Sequence, residues 1–101
     1  MSIPLSVRQR YLVEWYHPDA TPEALERRVA AVTANAAARS ADDGVALLTT
    51  FLLPSDEVVF GVFAARSGEA VADVCRRSGY PAGRVSEAVE ATAPGTEGHT
   101  R

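Results

Sequence analysis

The stretch Glu57–Glu90, EVVFGVFAARSGEAVADVCRRSGYPAGRVSEAVE, decides the fold. Its first nine residues, Glu57–Ala65, are almost continuously apolar and rich in β-branched and aromatic types, the pattern of a central strand covered on both faces. Gly61 inside that run marks a bulge or a close approach to the backbone. Ser67 then supplies a side-chain oxygen for the orphan N–H groups of a helix start, and Glu69 lies in the first turn. Val71, Val74, Cys75 and Ser78 repeat at helical spacing as one inward stripe. Gly79 ends the helix in the left-handed conformation that glycine adopts without penalty, and Pro81 prevents its continuation. A last strand follows at Arg84–Ala91, with Val85, Glu87 and Val89 opposite Ser86, Ala88 and Glu90.

The first half repeats the plan. Arg8–Tyr16 alternates, with Tyr11, Val13 and Trp15 on one side and Leu12, Glu14 and Tyr16 on the other. Thr21-Pro22-Glu23 opens a helix running to Arg39: a capping hydroxyl, a proline at the first helical position and an acid at the positive end. Leu25, Val29, Val32 and Ala36 form its expected apolar stripe. Val45–Leu53 is a strand, and Pro54-Ser55-Asp56 turns it into the next as a hairpin. The order is therefore βαββαβ. Right-handed crossovers make this an α+β, ferredoxin-like domain, a four-stranded antiparallel sheet with both helices on one face. The first and third strands take the centre.

Two helices cover one face only. Leu12, Tyr16, one of Leu47 and Leu48, one of Phe51 and Leu52, and one of Phe60 and Phe63 are left for the other. An apolar face of that size marks an interface. The expectation is a homodimer of the dimeric α/β-barrel kind, formed through the helix-free sheet face.

The chain has 101 residues, 47% of them apolar and 23% charged, with a net charge of −3. That suits one domain over residues 1–91, with 92–101 as a polar, Pro/Gly-containing flexible tail. All ten basic residues are arginine and scattered, which argues against a nucleic-acid partner. The doublets Arg27–Arg28 and Arg76–Arg77 are expected on solvated helix faces. Cys75 stands alone, so no internal disulfide forms and a reducing compartment fits. No run has the length of a membrane span and MSIPLSVRQR lacks the core of a signal peptide, so a cytoplasmic protein is expected.

Few residues carry chemistry. His17 follows the first strand near Glu14 and Asp19. It either joins a carboxylate–imidazole site at the strand's mouth or, absent a second ligand, is an exposed loop residue. Cys75 on an inward helical stripe reads first as a small buried apolar group and only weakly as a metal ligand. Glu14, between Val13 and Trp15, needs a partner such as Arg10 or Arg84; otherwise it is a ligand-binding carboxylate or general base. Tyr11, Trp15, Tyr16, Phe51, Phe60, Phe63 and Tyr80 are core by periodicity, or line an aromatic pocket. Ligand-binding candidates are Glu14, Tyr16, His17 and Tyr80; metal candidates are His17 and Cys75. The motifs G-x-S-x-G, HExxH and CxxC and a phosphate-cradling glycine loop are all missing.

YLVEWY (11–16), ARSGEAV (65–71) and CRRSGYPAGRVSEAV (75–89) resemble a family of small actinobacterial-type domains of unknown function that includes nickel-binding, nickel-responsive proteins. The resemblance spans Tyr11 to Val89 and implies a ferredoxin-like dimer and a divalent-metal cofactor, nickel. Where the nickel-binding members carry histidine, this chain has Trp15, Cys75, Tyr80 and Ser86 at or near those places. Ala64 and Arg66 replace the acid and proline of the third strand.

Three functions follow. The first is a non-enzymatic dimeric domain that binds a small hydrophobic ligand or a metal. The second is a cofactor-independent monooxygenase, isomerase or cyclase acting on an aromatic or polyketide-like substrate. The third is a structural or interaction module.

Overall fold

The computed structural model describes residues 9–18, 21–39, 44–89 and 91. The elements are β1 (Gln9–Tyr16), α1 (Pro22–Ala37), β2 (Val45–Leu53), a 3-10 turn (Pro54–Asp56), β3 (Val58–Ala65), α2 (Gly68–Arg77) and β4 (Arg84–Ala88). The sheet order is β2-β3-β1-β4 and every pairing is antiparallel. This is the ferredoxin-like α+β arrangement expected from the sequence. Residues 1–8, which include the expected strand start at Arg8, and 92–101, the expected tail, lie outside the described residues.

The helix starts follow their capping chemistry. Thr21 accepts a hydrogen bond from the Ala24 amide at 3.1 Å, and Ser67 accepts one from Ala70 at 3.1 Å. Gly79 has φ +88°, the left-handed value that closes α2. Two ends fall short of the sequence reading. α1 stops at Ala37, where no glycine or proline marks the end, and β4 stops at Ala88, two residues after Ser86 pairs with Leu12.

Tyr11, Val13 and Trp15 of β1 face the helices, as do Val59, Gly61 and Phe63 of β3. They pack with Val32 and Ala36 of α1 and with Val71, Val74 and Cys75 of α2 into one core. Each fully buried valine contributes about 1.5–3 kcal/mol relative to exposure. Gly61 is the seat of the Trp15 ring: a Cβ there would lie 2.8 Å from Trp15 Cζ3. The close approach is therefore the reason for this glycine. The bulge belongs to β2 instead, between Leu47 and Thr49.

That bulge decides which β2 residues are covered. An extra residue flips the alternation, so Val45 and Leu47 face the helices before it and Thr50 and Leu52 after it. Leu48 and Phe51 are turned to the helix-free face, where they are 39% and 55% exposed. Phe60 shares that face, opposite Glu14 and Phe51, whereas Phe63 lies in the core.

Candidate functional site

The helix-free face is built from alternate residues of all four strands. Arg10, Leu12, Glu14 and Tyr16 of β1 pair with Ala64, Val62, Phe60 and Val58 of β3, and Arg84, Ser86 and Ala88 of β4 flank them. An open cavity of about 360 Å³ lies on this face, lined by Arg10, Leu48, Thr49, Val62, Ala88 and Val89. Its walls are aliphatic because the β2 bulge turns Leu48 outward beside the central Val62.

Two of the expected ligand residues belong to this face. Glu14 meets Arg84 at 3.9 Å, one of the two arginines expected as its partner. At that length and exposure the pair is worth no more than about 1 kcal/mol. Tyr16 is 69% exposed, and its hydroxyl donates to Glu57 Oε1 at 3.1 Å. Glu57 itself has φ +57°, a left-handed residue at the end of the hairpin turn.

The other two, His17 and Tyr80, are brought together on the opposite side by a residue the sequence reading assigned to solvent. Arg28 is 5% exposed. Its guanidinium carbon sits 4.4 Å from the centroid of the Tyr80 ring and 5.2 Å from that of Trp15. Nη2 donates to His17 Nδ1 at 2.5 Å, so the imidazole accepts there and carries its proton on Nε2. The Trp15 indole donates to the Tyr80 carbonyl at 2.7 Å, which holds the two rings around the cation. Burial lowers the Arg28 pKa, while Tyr80 and Cys75 raise it electrostatically. Arg28 Nε is buried without an acceptor. Two attractive ring faces make the buried charge tolerable.

Arg28 corrects the expectation that Arg27–Arg28 is a solvated doublet. It lies three residues after Leu25 and four before Val32, so helical spacing itself places it on the inward stripe. The other doublet behaves as expected: Arg76 and Arg77 are exposed and pair with Asp73.

Cys75 is fully buried on α2, and burial pushes its thiol up to about 11, with the Arg28 charge opposing only in part. A thiol held so far above neutrality is neither a ready ligand nor a nucleophile. His17 Nδ1 already serves Arg28. Among the described residues no group of three or more His, Cys, Asp or Glu is placed to hold a metal ion. The donor set does not fit the nickel site that the family resemblance implies.

No protein-family model matches the chain, and no curated protein matches it. Among solved structures it is similar to SCO4226 from Streptomyces coelicolor A3(2), at 19% identity and a TM-score of 0.73. The match covers 82% of this chain and 99% of that one. No helix among the described residues is long and apolar enough to cross a membrane. Sheet order, capping and this likeness agree on one conclusion, a small ferredoxin-like α+β domain.

Proposed function

We propose that the protein is a non-enzymatic binding domain that works as a homodimer through its helix-free sheet face and holds a small hydrophobic ligand there. The observation that carries this reading is the aliphatic cavity of about 360 Å³ around Leu48 and Val62, on a face that also exposes Phe51. Small-ligand sites are concave and mostly apolar, and their volumes start at about 300 Å³.

A second copy suits the face for two reasons. Four strands about 5 Å apart and about 26 Å long offer on the order of 500 Å² per copy, so a pair buries about the 1,000 Å² at which specific interfaces begin. The face also carries charges of both signs: Glu14 on the central β1, Arg84 on the edge strand β4 beside it. A two-fold interface is self-complementary, and a face carrying both signs is suited to meet a second copy of itself. The nickel half of the family resemblance lacks a donor set among the described residues.

The test is titration with Nile red, an uncharged apolar dye. Saturable, blue-shifted emission is expected from the parent chain, weakened at least about tenfold in Leu48→Asp, since a carboxylate in an aliphatic cavity must be desolvated or left wet. Unsaturable emission, or equal binding by a folded Leu48→Asp variant, overturns the reading.

A further inference from the structure

On the other side of the sheet, Arg28 is a recognition group missing half of its partner. Nε–H and one Nη2–H of a guanidinium lie side by side, the fork that grips both oxygens of a carboxylate. Here Nη2 donates to His17 Nδ1, a neutral ring nitrogen, and Nε beside it has no acceptor. One imidazole nitrogen satisfies only one tine. No carboxylate of the described residues pairs with Arg28, so the buried cation rests on two ring faces and one imidazole nitrogen.

A buried fork with one tine on a neutral ring nitrogen and the other without an acceptor fits an acceptor with two parallel oxygens. Trp15 and Tyr80 also give the guanidinium flat aromatic neighbours. We infer that Arg28 is the anchor of a binding site for a small carboxylic acid with a flat apolar body, whose carboxylate takes the place now held by the His17 ring.

His17 is the movable group in this exchange. It is only partly buried, at the end of β1 and next to exposed Pro18, whereas Trp15 is 2% exposed and fixed by its bond to Tyr80. The site lies across the sheet from the aliphatic cavity, so it stands whether or not the dimer forms.

Trp15 is the chain's only tryptophan and reports directly on Arg28. The experiment follows its fluorescence during titration with sodium benzoate, with benzamide as the neutral isostere and sodium chloride as the ionic-strength control. Benzoate is expected to give a saturable change, with benzamide weaker by roughly tenfold or more and chloride without effect. Arg28→Lys keeps the charge but loses the fork and is expected to lose benzoate by a similar factor. His17→Ala, which vacates the first oxygen's place, binds benzoate at least as tightly as the parent. No saturable change with benzoate, an equal response to benzamide, or loss of binding in His17→Ala overturns the inference. The benzoate–benzamide comparison in the parent chain decides it even if Arg28→Lys does not fold.

Discussion

Trp15 organises its surroundings at the scale of single residues. Its ring rests on Gly61, meets Phe63 edge-on at 6.2 Å and 65°, hydrogen-bonds Tyr80 and neighbours Arg28. A methyl group at position 61 has nowhere to go, because the ring it strikes is held on three other sides. Gly61→Ala is therefore expected to destabilise the fold by about 1–3 kcal/mol, the range for overpacking a filled core. Urea unfolding of the two chains checks this, and an unchanged midpoint would show that the ring can shift. Gly61 was legible as a special position, because a lone glycine in an apolar strand has few other uses. Arg28 was not. Charged residues are almost never fully buried without a partner, so the rule that sorts arginines to solvent outweighed a helical spacing that pointed inward.

Between elements, Asp73 on α2 ties the two helices together. It accepts from Arg39, just past the end of α1, at 2.8 Å, and from Arg77 at 3.0 Å, with Arg76 as a further partner. Partial burial pushes its carboxyl up, but Arg39, Arg77 and Arg76 together outweigh this and hold it below its ordinary value of 3.8. A carboxylate depressed by folding stabilises the native state above its unfolded pKa, and that contribution is lost as pH falls through the folded value. Asp73→Asn is expected to lower the melting temperature at neutral pH by a few degrees, the two chains converging as pH drops below 3.8. Melting curves across that range test it; a gap that stays constant with pH would assign the effect to something other than ionisation. Helix starts were readable from Thr21 and Ser67 because capping is local. The end of α1 and the short β4 were not, since tertiary pairing rather than any glycine or proline sets where they stop.

For the whole molecule, the order of elements pointed to the observed strand order, because right-handed crossovers leave few arrangements and two split βαβ units normally take this one. The same reading found that one sheet face lacks a cover and placed Leu12 and Tyr16 on it, but left three pairs of residues undecided. The choice between Leu47 and Leu48, and between Phe51 and Leu52, turned on a one-residue bulge that alternation alone does not reveal. The candidate site also split. Glu14 and Tyr16 lie on the helix-free face, whereas His17, just past the end of β1, and Tyr80, between α2 and β4, lie beside Arg28 on the other side of the sheet. The helix-free face is where the proposed assembly stands or falls. Sedimentation equilibrium at micromolar concentration, with Phe51→Asp alongside, measures it most directly: twice the 10.7 kDa chain mass is expected for the parent and one chain mass for the variant. A parent that sediments as a single chain, with Leu48 and Phe51 left in water, contradicts it.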